Sequence, residues 1–503
     1  MGNKRLASQP NNAVTVTEAS SSTPISAILS DNILSVREGM GGSSDIIIRE
    51  SLFAATGKPM AVLYTDGLVD VTAVNNFILR SLMGEPEHIP AEQDPLEIMK
   101  AYTLAIGEVK QVDDMAKVFH HILSGDTVIL IEGSVSGIAA STKGWKDRGV
   151  SETSVETVVR GPRESFTESI RTNTALIRRK IKDPNLWIET FQIGDITKTD
   201  VMMMYVNGVA QPTLIGEVRS RLKQITIDGI FESSNIEEMI QDQQMTVFPT
   251  LYNSERPDVI ALELLHGKVA VLVDGTPFVL VAPALFESFL KASEDYYHRI
   301  DISSLVRVLR YIGFLIALLA PSLFVAITTY HQEMVPTQLL ISLSAQREGV
   351  PFPAFIEALM MEITFEVLRE AALRMPRTIG SALSFVGTLV IGQAAVEAGI
   401  ISAAMVIVVA ITAICSFVFP SYDLSSAIRI LRFPLMALAA SFGLIGVFIG
   451  MLLLVMHLNS LQSFGVPYLS PFSPFEFDKQ KDAFFRFPFK ALFNRIRVEK
   501  KTR

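Results

Sequence analysis

Four stretches of this sequence run without a charged side chain for about the 17 to 25 residues that a helix needs to cross a hydrocarbon core: 311–330, 378–396, 400–420 and 433–456. A helix buried in a water-soluble core rarely continues so far without a charge, so the four are expected to lie in a membrane. All of them follow Arg310. Before that residue charged and apolar side chains are mixed as in a soluble chain, so the solvent changes there.

At 503 residues the chain is too long for one core, and two or three folding units are expected. The formal net charge of −8 argues against nucleic acid as a partner, because phosphate recognition needs Lys and Arg clustered on one domain. The exception is the tail. From Glu476 onward it holds nine Lys or Arg against four acids, including Arg495, Arg497, Lys500, Lys501 and Arg503, which suits either anionic headgroups or plain solvation. The single cysteine, Cys415, leaves no disulfide framework or thiolate metal site within one chain. Lys4 and Arg5 precede the polar run 8–22 rather than an apolar segment, so no cleaved signal peptide is expected. Arg299, Arg307 and Arg310 flank the first span and place that flank, with the soluble region, in the cytoplasm.

Apolar periodicity gives an α/β soluble N-terminal region of two small α/β subdomains, followed by an α-helical transmembrane bundle. Residues 1–44 are Ser/Thr/Asn-rich and expected to be mostly without structure, with a short helix possible over 25–36. The first subdomain is expected over 45–149, with strands at 60–64 and 127–131 and helices at 69–83 and 98–106. The second is expected over 150–300: helices at 166–181 and 213–224, strands at 186–193 and 201–206, a strand pair 259–265 and 269–273, and a last helix opened by Pro283. The helical domain follows over 301–468 and the basic tail over 469–503. Five crossings, or a five-helix bundle with one unusual member over 352–369, are expected, with the side of the tail left open.

Residues 351–376 carry the most informative pattern. At 100° per residue Phe355, Leu359, Glu362, Glu366 and Leu373 share one stripe of an otherwise apolar helix, with Arg369 and Glu370 on its edges. Ionisable groups at membrane depth usually face a bundle interior or water. In a symmetric homo-oligomer such a stripe, Phe355, Leu359, Glu362, Glu366 and Glu370, would stack carboxylate rings around a cation pore. An interfacial helix whose acids face water is the competing reading.

Nothing in the sequence points to catalysis or a cofactor: HExxH, GxxxxGK[ST], GxSxG and a strand-linked GxGxxG are all missing. His120 and His121 are adjacent and cannot share a helical face as a metal pair. Asp66 and Asp70 read as a turn and a helix cap.

Four stretches together resemble the A subunit of the GerA-type spore germination receptors: Tyr64 to Asp70, Arg160-Gly161-Pro162-Arg163-Glu164 continuing to Arg178-Arg179, Pro353 to Glu370, and Gly465 to Pro471. The match covers about residues 45 to 471. The resemblance implies a multi-pass protein of the spore inner membrane, working with a multi-spanning B subunit that senses the nutrient and a lipoprotein C subunit. It implies oligomerisation into a nutrient-gated ion channel, with Glu362 and Glu366 in the pore-forming helix and Arg160, Arg163 and Glu164 in a soluble signature without catalytic role. A companion channel of the dipicolinate-release machinery shares these signatures. A non-conducting scaffold that relays a signal is the alternative from another class; a transporter should show two related halves with broken helices, and none is visible.

Overall fold

The computed structural model describes residues 23–84, 95–99, 108–144, 156, 158–374, 392–475 and 479–488. The chain forms two compact units: Met1–Val158, Pro162–Ile240 and Asn253–Ala282 make one, and Val159–Gly161, Gln241–Tyr252 and Pro283–Arg503 the other.

The first unit contains one plan twice. Its first half runs α1 (Leu29–Gly39), β1 (Ile46–Phe53), β2 (Lys58–Thr65), the helical run α2 (71–83), β3 (Val109–Val112), α3 (Met115–Leu123), β4 (Asp126–Ile131) and β5 (Gly137–Ser141). The second half runs α4 (Ile170–Lys180), β6 (Leu186–Ile193), β7 (Thr199–Val206), α5 (Pro212–Gln224), α6 (Ser233–Ile240), β8 (Tyr252–Ser254), α7 (Pro257–Leu265), β9 (Val269–Val273) and β10 (Val279–Ala282). The sheets are ordered β1-β2-β4-β5-β3 and β6-β7-β9-β10-β8, the same topology counted from each first strand.

The chemistry repeats with the topology. Ahead of α1 the Asn32 amide accepts from Ser26 N at 2.9 Å and donates to Ser26 O at 2.7 Å; ahead of α4 Asn173 does the same with Thr167 at 2.7 and 2.6 Å. Leu29 N, an unsatisfied donor of the first helical turn, donates to the Glu132 carboxylate at 2.7 Å, and Ile170 N donates to Asp274 at 3.0 Å. Each acid ends a central strand and is followed by a glycine in the left-handed region, Gly133 (φ 84°) and Gly275 (φ 95°), whose N–H returns to the turn before the helix.

The structure departs from the sequence expectations at definite points. Part of the segment expected to lack structure is core: Leu29, Ile33, Val36 and Met40 are buried with Val118 and Ile122 of α3. The two expected α/β subdomains are present, and every strand pairing with a described register in them is antiparallel. The expected strand 259–265 is helix α7, which Pro257 starts; 269–273 pairs instead with β10 and β7. A short apolar run is equally a buried helix or a buried strand by periodicity alone.

The halves are joined through a buried ion pair. Arg178 on α4 is 1% exposed and donates to both Asp45 carboxylate oxygens at 2.8 and 3.0 Å and to Ser43 Oγ at 3.1 Å. Ser44 N donates to Ile188 O on the outer edge of β6. Gly41, at φ 62°, lies so close to the Trp187 ring that a Cβ there would sit 2.1 Å from it.

The second unit is a helical bundle on a collar of turns. Its helices are α8 (Ile300–Tyr330), α9 (Thr337–Arg347), α10 (Ala354–Arg374), α11 (Ala403–Ser416) and α12 (Tyr422–Ser460). The last is two helices, because Gly443 has φ 64° and ψ −142°. In a continuous helix Leu435 and Gly450 would be about 22 Å apart, yet a Cβ on Gly450 would lie 2.5 Å from the Leu435 side chain, and one on Gly446 2.1 Å from Leu438 O. The arms 422–442 and 444–460 are therefore antiparallel, packed through Gly446 and Gly450. Tyr330 Oη donates to Ala440 O at 2.8 Å and helps satisfy the end of the first arm. The expected single span 433–456 is thus a hairpin, and 400–420 gives a helix of only 14 residues; most of 378–396 lies outside the described residues.

Pro283 leads into two 3₁₀ turns, Phe286–Phe289 and Ser293–Tyr296, rather than a long helix. The chain leaving the second arm of α12 returns to these turns: Phe286 N donates to Tyr468 O at 2.9 Å and Ala284 N to Ser463 Oγ at 3.0 Å. Residues 479–488 then lie along the start of α8, where Arg307 donates to Asp295 (3.2 Å) and Asp482 (3.0 Å) and Arg310 to Asp295 (2.8 Å). Both flanks of the bundle therefore meet at one end. Arg495, Arg497, Lys500, Lys501 and Arg503 lie outside the described residues.

Replacing Arg178 by Ala should leave Asp45 buried without a counter-charge and destabilise the first unit by about 3–5 kcal/mol. Denaturant unfolding of the full chain, followed by Trp187 fluorescence, measures this.

Candidate functional site

Helix α10 holds the acidic stripe, and the fold brings bases to it. Pro353 precedes the first turn, and the Ala, Leu, Met and Glu residues of the helix are strong helix formers. At one end Glu357, fully buried, accepts from Ser402 N at 2.7 Å and from Ser402 Oγ, with Arg347 Nε 3.8 Å from its other oxygen. One and a half turns on, Glu362 is 1% exposed and accepts from Arg432 at 2.5 Å, while Arg432 Nε also donates to Ala317 O at 2.9 Å. Glu366 accepts from Arg429 at 2.6 Å, and Arg429 donates to Ser426 Oγ at 2.8 Å. The Arg369 guanidinium lies over Phe417 (5.3 Å) and Tyr422 (5.6 Å).

This ladder divides the expected stripe. Glu362 and Glu366 point at arginines of the first arm of α12, Phe355 packs against the buried cluster around Val325, Ala326 and Met405, and Leu359 is half-buried. Glu370 is exposed and pairs with Arg374 one turn away at 2.6 Å. The open side of α10 carries Ile363, Val367, Glu370 and Leu373. Arg429 and Arg432 are the partners that pattern reading missed. Their signal was available: two arginines three residues apart on one helix match two glutamates four apart on another.

The bundle's outward side chains are apolar on several helices: Leu305, Leu309 and Ile312 on α8, Ile407 and Ile414 on α11, Phe448 and Leu453 on the second arm of α12. Outward apolar side chains on several helices of one bundle suit a hydrocarbon surrounding or a partner surface. By length and composition α8 passes for a membrane-crossing segment, as does the apolar stretch 422–460 taken without its reversal at Gly443.

The soluble signature divides too. Glu164 bonds Lys180 at 3.1 Å and lies 3.7 Å from Arg179, and Pro162 O accepts from Arg256, itself doubly bonded to Asp258. Arg160, Gly161 and Arg163 are exposed. Asp70 caps α2 by accepting from Thr72 N and Ala73 N, as a cap should. Among the described residues no three His, Cys, Asp or Glu side chains gather as a metal site.

Beside the signature, Glu156 accepts from Ser254 Oγ at 2.7 Å. Burial pushes its carboxyl up to about 7, against the pull of Ser254 and Arg256. The folded state then holds a proton that the unfolded chain releases near the ordinary glutamate range, so stability falls as pH rises from about 4.5 to about 7, by up to about 3 kcal/mol. The Glu156→Gln variant should lose that slope and be the more stable protein at pH 8; unfolding midpoints of both proteins at pH 5 and pH 8 measure it.

The sequence matches the family described as Bacillus/Clostridium GerA spore germination protein over residues 35–498. It is 47% identical over 468 residues to spore germination protein KA of Bacillus subtilis, covering 93% of this chain and 86% of that protein. It is 45% identical to the membrane protein YfkQ of the same organism, covering 92% and 90%. The crystal structure of the N-terminal domain of the A subunit of the Bacillus megaterium spore germinant receptor GerK3 aligns with 53% of this chain and 98% of that one, at 37% identity and a TM-score of 0.41.

Proposed function

The chain belongs to the GerA family of Bacillus/Clostridium spore germination proteins, and we propose that it is the A subunit of a nutrient-responsive germinant receptor in the spore inner membrane. In this reading it works with a multi-spanning B subunit and a lipoprotein C subunit, and copies of it surround a gated cation path whose opening begins germination. The observation that carries the reading is the acid–base ladder of α10 inside a bundle that turns hydrocarbon outward. Charged groups at that depth stay only where they are paired or face water. Two kinds of carboxylate then have different tasks. Glu362 and Glu366 brace α10 against α12, while Glu370, on the open side with Ile363 and Val367, is the carboxylate left to face a path.

A scaffold without conduction is the second reading, and the same ladder favours it in one respect: Glu362 and Glu366 already spend their charge within the protomer. Recording from the purified protein in planar bilayers separates the two. Cation currents are expected, and Glu370→Gln should lower cation selectivity several-fold with assembly intact. Glu362→Gln should instead reduce the yield of folded protein, because Arg432 is left buried at a cost of about 3–5 kcal/mol. Silence from correctly assembled protein, alone and with the B and C subunits, rules for the scaffold.

Meeting of the bundle's flanks at one end supports an even number of crossings, with the 479–488 segment and the soluble region both cytoplasmic. A cysteine at Phe484 in a Cys415→Ala background should react with an impermeant maleimide in inverted vesicles and stay unlabelled in right-side-out ones. The opposite labelling puts that end of the bundle, with both its flanks, outside.

A further inference from the structure

Duplication gives the first unit two equivalent faces, and among the described residues only one is covered. On the second half, α4 and the outer edge of β6 are covered by the first half's linker Gly41–Asp45 and its turn Asp66–Gly67. The contacts are Arg178 with Ser43 and Asp45, Ile188 with Ser44, Trp187 with Gly41, and the backbone of Arg171 and side chain of Ala175 against Gly67.

The registers fix which residues correspond. Asn32 matches Asn173, so Ser30, Leu34 and Arg37 stand on α1 where Arg171, Ala175 and Arg178 stand on α4. Ile47 opposes Tyr64 as Trp187 opposes Tyr205, so Ile47 stands for Trp187. On this first-half face Leu34 is 55% exposed, Arg37 is exposed, and β1 is the outer strand of its sheet. A cavity of about 400 Å³ opens there between α1 and β1, lined in part by Arg37, Met40 and Ile47.

The second half carries the complement. Its linker 182–185 and turn Asn207–Gly208 stand where Gly41–Asp45 and Asp66–Gly67 stand in the first, and Val209 after the turn is 50% exposed. Asp183 and Asn185 occupy the positions of Ser43 and Asp45, the two partners of Arg178, with the acid moved from the second position to the first. Asp183 is exposed and accepts from Asn185 N and Nδ2. Where the large Trp187 presses against Gly41, its counterpart in the first half is the smaller Ile47, and the cavity beside Ile47 leaves room there for a bulkier side chain.

We propose that the first half's free face binds the second half of another copy of this chain, with Arg37 of one copy on Asp183 and Asn185 of the next. This rests on the homo-oligomer in the proposed function and states how its soluble parts join: the contact made once inside each chain is made again between chains. Such a contact is head-to-tail, so each copy offers one donor and one acceptor face, and a ring closes when the rotation allows it. Charge complementarity and the exposed Leu34 and Val209 give the joint its specificity and its apolar centre.

The test uses the full chain in detergent, its mass read by light scattering, with wild type, Arg37→Glu, Asp183→Arg and the double variant. Both positions are exposed, so the variants should fold; equal thermal midpoints verify it. Each single change should weaken assembly at least tenfold and the double should recover most of the loss. In a Cys415→Ala background, Arg37→Cys with Asp183→Cys should give disulfide-linked dimers and longer ladders on oxidation. Oligomers indifferent to all charge changes, or cross-links confined to single chains, overturn the docking and leave the oligomer standing. A wild-type monomer at every concentration overturns the oligomer itself.

Discussion

A charge withdrawn from water costs several kcal/mol unless an opposite charge and hydrogen bonds meet it, and the long-range joints of this protein are made where that condition is fulfilled. Arg178 and Asp45 hold the two halves of the soluble unit. Asp295, Arg307, Arg310 and Asp482 bind the base of the first long helix to the segment that follows the last one. Glu362 with Arg432 and Glu366 with Arg429 fix the acidic helix against the hairpin. Apart from Asp295 with Arg307 and Arg310, each pair joins residues more than sixty positions apart in the chain. Apolar contacts alone could slide by a turn without great loss, whereas a bidentate or hydrogen-bonded pair accepts one register.

That arrangement assigns separate tasks to residues of one helix. The side of α10 that holds Glu362 and Glu366 is bound to the hairpin, and the side with Ile363, Val367 and Glu370 is exposed. A stripe drawn at 100° per residue puts Glu362 and Glu366 together correctly but cannot say which way the stripe faces, because that depends on where Arg429 and Arg432 fall in another helix.

The same limit explains what the sequence revealed elsewhere. Strands 60–64, 127–131, 186–193 and 201–206 and helix 213–224 were legible because their periodicity and boundaries are local. The run 259–265 was not, since a fully buried helix and a fully buried strand read alike. The hairpin at Gly443 was hidden because its arms are continuous in hydropathy, and only the left-handed backbone of one glycine divides them. The duplication was hidden for a different reason. What the halves share is a few hydrogen-bonding residues, Asn32 and Asn173 or Glu132 and Asp274, set in apolar runs that tolerate exchange. The GerA resemblance was legible from short polar motifs, such as Arg160 to Glu164, whose order along the chain is specific where hydropathy is not.

The reversal at Gly443 has a consequence for how the chain is made. With no loop between the arms of α12, there is no hydrophilic stretch to wait on the far side of a bilayer while the second arm is synthesised. The first arm also carries Arg429 and Arg432, each unfavourable by about 2.5–3.5 kcal/mol at the centre of an isolated inserted helix. It becomes a comfortable resident only beside Glu362 and Glu366, which leave the ribosome some sixty residues earlier. In the membrane reading proposed above, insertion of the last two legs is therefore a coupled step: the nascent hairpin enters as a folded pair, onto an acidic helix already in place, and the order of synthesis supplies that helix first.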